Sequence, residues 1–199
     1  MTRESQPAPS TSDAIASAAR KIFEAEGPTG ISMRRVAEAV GITPMAIYRH
    51  YPNREALLHR ISDDTFAEIT GLWAAKKRKS ADVVKRLVAL QDGYLDYALS
   101  RPHMFDYAYS VRRDDARRFP EDFRARLSPT LNLIADTLDA GMQAGVFRKD
   151  DIWDVAMAIW GMAHGLICLY RAGRFSYSER AFRTFYRSSL RRLLDGLKA

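Results

Sequence analysis

The sequence predicts an all-α protein of about nine helices, and three observations carry that prediction. Apolar residues recur at i, i+3 and i+4 over most of the chain, the spacing that lines up one face of a helix. Ser, Thr, Asp and Asn stand ahead of those stretches, and Gly or Pro follows several of them, which is the polarity of helix caps and stops. No segment alternates apolar and polar residues as a half-buried strand does, and no internal repeat is visible.

A chain of 199 residues is long enough to bury a core as one large or two small domains. Its hydrophobic fraction of 47% and charged fraction of 28% are those of an ordinary soluble protein. No run of about 18 apolar residues stands out, so no transmembrane helix is expected. The opening MTRESQPAPSTS lacks the apolar core of a secretory signal. A single cysteine, Cys168, permits neither an internal disulfide nor a cysteine metal cluster, and a cytoplasmic location is expected. The net charge is +7, but it is unevenly spread. Residues 1–60 carry a balance of +2, residues 61–170 of −1 and residues 171–199 of +6. Bulk charge therefore gives no reason to look for nucleic acid at the N-terminal end, and any such case must rest on pattern.

Residues 1–11 are polar, with Pro7 and Pro9, and read as a disordered tail. The first helix begins near Ser12 or Asp13, aligns Ile15, Ala18, Ala19, Ile22 and Phe23, and stops at Gly27-Pro28. Ser32 caps the second, whose inner face is Val36, Ala37 and Val40; Arg35 stands where a reciprocal capping box would need Glu or Gln. Thr43 caps the third, with Pro44 at its first position, and Pro52 ends it. Asn53 caps a longer fourth helix running through Leu58, Ile61, Thr65, Ile69 and Leu72 to Trp73. KKRKS (76–80) is a polar break and the expected domain boundary. Beyond it come an amphipathic helix over 83–99, interrupted by Pro102, an aromatic segment MFDYAYSV and a charged loop RRDDARRFPED. Three more helices are expected over 123–145, 152–170 and 178–197.

Ala37, Gly41 and Ile47 stand at the offsets of a helix-turn-helix. The first is small where helices cross, the second suits a left-handed turn and the third plugs the inner face. The segment Gly41-Ile-Thr-Pro-Met-Ala-Ile-Tyr48-Arg-His50-Tyr51-Pro-Asn-Arg54-Glu-Ala-Leu-Leu58 resembles the DNA-binding end of TetR-family transcriptional regulators. The resemblance spans Ser12 to Leu58. Tyr51 stands where that family usually has Phe, and Arg54 where it usually has Lys. Trp160-Gly-Met-Ala-His164-Gly-Leu166 is similar to a motif in some of these regulators.

The resemblance implies that Thr43, Tyr48 and Arg54 touch phosphates. The physical chemistry agrees: a helix N-terminus and a guanidinium both hold an anion, setting register without reading sequence. Base readout is expected from Pro44, Met45, Ala46, Arg49 and His50, with Arg49 suited to guanine and the apolar side chains to thymine methyls. Arg34 and Arg35 are expected to add backbone contacts.

One helix-turn-helix makes few contacts, so a palindromic operator of double-stranded DNA read by a homodimer is expected. The last two helices are the expected dimer interface. On the first, Gly161 and Gly165 allow close approach beside Ile159, Met162 and Leu166; on the second, Phe182, Tyr186, Leu190, Leu193 and Leu197 form a stripe. Arg180, Arg183, Arg187 and Arg191 lie on another face of that helix and read as solvated. An effector site in residues 80–199, with Trp73 beside it, is expected to draw on Trp73, Tyr97, Met104, Phe105, Tyr109, Met157, Trp160 and His164, since pockets are mostly apolar with a few polar tips. Cys168 reads as a small core residue. No metal or cofactor motif and no catalytic signature such as GxSxG, GxxxxGK or HExxH is present. The expected function is thus a ligand-responsive regulator, a repressor released by a small apolar or aromatic effector. The competing reading is an all-helical enzyme or interaction protein with a vestigial helix-turn-helix.

Overall fold

The computed structural model describes residues 10–77, 80–109 and 116–199. Residues 1–9 of the expected tail, residues 78–79 of the 76–80 break and the start of the charged loop lie outside those residues. Ten α-helices are described: α1 (Thr11–Glu26), α2 (Met33–Val40), α3 (Pro44–Ile47), α4 (Arg54–Lys77), α5 (Val83–Ser100), α6 (Pro102–Tyr109), α7 (Glu121–Arg124), α8 (Pro129–Gln143), α9 (Ile152–Arg171) and α10 (Glu179–Asp195). A 3₁₀ turn covers Pro28–Gly30. The described residues contain no strand; one isolated antiparallel bridge joins Phe147 to Lys198. The chain is all-α, as its periodicity predicts.

Contacts divide it into two units. The first holds the described residues up to Ala67 together with α6. Ser10 caps α1, accepting from the Asp13 N–H at 3.2 Å, so the helix starts slightly ahead of Ser12. Ile15, Ala19 and Phe23 are buried, matching the inner face read from spacing. Ser32 accepts from the Arg35 N–H at 3.2 Å and caps α2 from one side, as the absent Glu requires. Gly41 ends α2 at φ 73°, ψ 30°; its N–H reaches Glu38 O at 3.1 Å and the Ile42 N–H reaches Ala37 O at 3.0 Å. That paired closure needs a left-handed residue, which glycine adopts without Cβ strain.

Two sequence expectations fail in this unit. The third helix does not run to Tyr51. Regular α-helix ends at Ile47, and Arg49 and His50 donate three residues back, to Ala46 and Ile47 at 3.2 and 3.0 Å. Tyr51, ahead of Pro52, is pulled inward instead; its ring is buried and its hydroxyl lies 3.0 Å from Ser12 Oγ. The domain boundary near residues 76–80 also differs, because α6 groups with the N-terminal helices. Tyr107 meets Phe23 edge-on at 5.5 Å, and Tyr109 meets Phe66 at 6.1 Å.

The second unit holds residues 68–100 and the described residues from 116 onward, and is built on α5, α8, α9 and α10. Leu87, Leu95, Leu138, Ile159, Phe182, Tyr186, Leu190 and Leu194 are fully buried in it. The expected continuous helix over 123–145 is broken into α7 and α8. Pro129 cannot continue a helix from 128, so Ser128 caps α8 and Arg126 turns left-handed at φ 62°. Leu127, expected in line with Leu131, is 54% exposed as a result. Of the four arginines of α10, Arg180 and Arg191 are exposed as expected, whereas Arg183 pairs with Asp96 at 2.6 Å and Arg187 with Asp92 at 2.8 Å, tying α10 to α5.

Candidate nucleic-acid interface and effector site

The sequence builds the recognition turn by fixing its inner side and leaving its outer side bare. Ile47 is fully buried. Around it Thr43, Pro44, Met45, Tyr48, Arg49 and His50 are exposed and Ala46 is partly so, with Met45 at 72% and Tyr48 at 49%. Thr43 Oγ1 accepts the Ala46 N–H at 3.2 Å, and since Pro44 has no N–H, Met45 alone supplies an earlier N–H in α3. An exposed thioether and phenol beside a guanidinium and an imidazole suit a groove lined by bases and phosphates.

Three arginines expected at DNA have different surroundings. Arg34 is exposed on α2. Arg35 makes a two-armed ion pair with Glu26 and also donates to Gly30 O at 3.2 Å. That pairing holds the Glu26 carboxyl below its usual range and raises the Arg35 guanidinium. Arg54, expected to present its guanidinium to phosphate, instead donates Nε to Ile31 O at 3.0 Å and Nη2 to Pro28 O, with Nη1 3.5 Å from Glu55. Sequence reading missed this because the partners are backbone carbonyls 23 and 26 residues away, with no side-chain signal.

In the second unit the aromatic residues form a connected file. Trp73 meets Tyr94 edge-on at 6.0 Å, the Tyr94 hydroxyl shares a 2.8 Å hydrogen bond with His164 Nδ1, Trp160 lies 6.0 Å from His164, and Phe123 6.3 Å from Trp160. Gly93 is needed for the first of these contacts, since a Cβ there would come 2.6 Å from Trp73 Nε1. His164 is half-buried, and burial lowers its pKa, favouring the neutral ring. Cys168 Sγ lies 3.4 Å from its Nε2. Tyr97 is buried nearby in the same unit, and Met157 is half-buried on α9. Met104, Phe105 and Tyr109 correct the expectation of one effector cluster: they sit on α6 in the first unit, and Met104 and Phe105 are core there.

The expected interface stripe on α10 is likewise corrected. Phe182, Tyr186 and Leu190 are fully buried within the chain, because α10 turns that face onto α5 and α9; Leu193 and Leu197 are partly exposed. On α9, Gly161 is exposed and Gly165 partly so; neither has a neighbour within 4 Å of a built Cβ, and Leu169 is 48% exposed. By length and composition α9 is apolar enough to cross a membrane, and only 28% of its most apolar window is buried within the chain.

Residues 15–61 match the bacterial regulatory proteins of the tetR family, and residues 87–195 match the tetracyclin repressor-like C-terminal domain. The chain belongs to the TetR family. This TetR-family chain is 24% identical over 147 residues to the HTH-type transcriptional repressor NicS of Pseudomonas putida, covering 73% of this chain and 69% of NicS. It is 43% identical over 53 residues to the HTH-type transcriptional repressor DrrR1 of Streptomyces coeruleorubidus, covering 27% of this chain and 20% of DrrR1. A protein of unknown function from Rhodococcus sp. RHA1 shares the fold of this TetR-family member with a TM-score of 0.81 at 18% identity, covering 99% of this chain and all of that one. As a member of the family it is a transcriptional regulator with a helix-turn-helix DNA-binding end, not an enzyme.

Proposed function

We propose that this TetR-family regulator is a homodimeric repressor that binds a palindromic operator in cytoplasmic DNA and leaves it when a small apolar or aromatic molecule binds the second unit. The observation that carries the reading is the recognition turn. Its inner residue Ile47 has no exposure while Met45 and Tyr48 stand in solvent. A folded core gains nothing from an exposed methionine and tyrosine, whereas a major groove does. Tyr48 and Thr43 hold phosphates in this reading, Arg34 adds a backbone contact, and Pro44, Met45, Ala46, Arg49 and His50 meet base edges. Both NicS and DrrR1 are repressors, which favours repression here.

Dimerisation is assigned to the open face of α9, where Gly161 and Gly165 permit close helix approach beside Leu169. A helix this apolar and this little buried in its own chain is what a partner helix covers in a dimer. The effector is assigned to the file Trp73–Tyr94–His164–Trp160, whose rings offer apolar surface around one neutral polar pair, with Tyr97 and Met157 at its margin. The 80–199 portion, less α6, then forms the effector and dimer domain. Since α4 contributes residues to both units, shifting it on effector binding changes the affinity of the dimer for DNA by favouring one of two states.

The DNA-facing assignment predicts distinct effects for two substitutions. Tyr48→Ala weakens operator and non-operator duplexes alike by several-fold, because a phosphate contact carries no sequence information. Arg49→Ala costs about 1–3 kcal/mol on the operator and far less on unrelated DNA. Fluorescence-anisotropy titrations on both duplexes check this; equal operator affinity for both variants and wild type sinks the assignment.

A further inference from the structure

Arg54 and Arg35 both grip one short piece of backbone. Arg54, the first residue of α4, donates Nε to Ile31 O at 3.0 Å and Nη2 to Pro28 O. Arg35, in the first turn of α2, donates to Gly30 O at 3.2 Å and is itself held by Glu26, the last residue of α1. The intervening Gly30 has no room for a side chain, since a Cβ would lie 2.7 Å from Glu26 Cβ. Three helices, α1, α2 and α4, are therefore fastened to the Pro28–Ile31 connection. The Arg54–Ile31 bond has a second consequence. It brings together the two ends of residues 32–53, the stretch that contains α2, Gly41 and the whole recognition turn.

We propose that Arg54 is a positioning residue for DNA recognition, closing the 32–53 segment through the Pro28 and Ile31 carbonyls, with the Glu26–Arg35 pair holding the same connection through the Gly30 carbonyl. The inference rests on the DNA-binding role of the recognition turn but departs from the expectation that Arg54 meets phosphate. Closing the segment removes conformations that the turn would otherwise lose on binding, so affinity is gained by preorganisation rather than by charge. A planar guanidinium suits the task because its fixed fork reaches two carbonyls at once; a lysine ammonium is a point charge without that fork.

The two roles separate in a salt titration. The probe is the duplex that wild-type protein selects from a randomised DNA pool, titrated over a range of KCl concentrations. Arg54→Lys keeps the charge and loses the fork, and Arg54→Met loses both. Positioning predicts that Arg54→Lys and Arg54→Met both bind about tenfold more weakly, with the slope of log Kd against log [KCl] unchanged. A phosphate contact predicts that Arg54→Lys stays within twofold of wild type and that Arg54→Met lowers the slope by about 0.9; either result overturns the proposal. Circular dichroism confirms that each variant is folded, and amide hydrogen exchange should quicken over residues 31–50 in Arg54→Lys with α1 unaffected. If Arg54→Met does not fold, Glu26→Gln serves in its place. Positioning predicts weaker binding at unchanged slope, whereas tighter binding from a freed Arg35 contradicts it. A pool that enriches nothing overturns the DNA-binding reading and this inference with it, while enrichment followed by a neutral Arg54→Lys overturns this inference alone.

Discussion

The double substitution Gly161→Arg with Leu169→Glu is expected to turn the dimer into folded monomers and to weaken operator binding by about 10²-fold or more. The size follows from linkage of two half-site contacts: separated subunits lose the effective concentration that makes the second contact nearly free. Local fold should survive. A Cβ at Gly161 would meet nothing within 4 Å, and Leu169 is already 48% exposed, so neither substitution removes a core side chain. Within the monomer Gly161→Arg even favours the helix, because glycine costs about 1 kcal/mol in a helix interior. A loss of dimer with retained helicity thus separates an interface from a core position. Sedimentation velocity reads the mass and circular dichroism the fold; a variant that stays dimeric removes α9 as the interface.

Ile47→Ala gives the opposite pattern. It is expected to destabilise the first unit by about 2–4 kcal/mol, the usual cost of leaving a cavity where a buried aliphatic side chain stood. Ile47 has no exposure and sits one residue before α3 gives way to the 3₁₀-like turn, so little regular structure remains to compensate. DNA binding should fail at temperatures where the second unit, with its own core of Leu87, Leu138, Ile159 and Tyr186, still dimerises. Calorimetry paired with sedimentation checks this. A single unshifted transition would show that Ile47 is not a keystone of the recognition turn.

What was legible in the sequence is local. Ser32, Thr43 and Asn53 cap the helices they precede, each accepting an N–H three residues on, and Gly41 turns left-handed as its position requires. These features depend on neighbours within a turn, which the sequence displays directly. The exposure of Met45, Tyr48, Arg49 and His50 follows from the same logic, since the cap and the buried Ile47 fix which side of the turn is covered. Long-range partners were not legible. Nothing in the spacing distinguishes a stripe that meets another helix of the same chain from one that meets a second chain. The α10 stripe was therefore read as interface although Phe182, Tyr186 and Leu190 are core. The grouping of α6 with α1 is hidden for the same reason, because chain order puts it beyond the expected boundary. The break between α7 and α8 was readable from Ser128-Pro129; the alignment of Leu127 with Leu131 masked it.

Paired recognition turns, each presenting Thr43 to His50, are expected to read DNA as a two-fold unit. Selection of duplexes from a randomised pool by the wild-type dimer, followed by sequencing, tests it most directly. The expected product is an inverted repeat with half-sites centred about one helical turn apart, or a multiple of it. Substitution of Arg49 should erase preference at one symmetric pair of positions and leave the spacing intact. Enrichment of a single asymmetric site, or of no sequence at all, would contradict it.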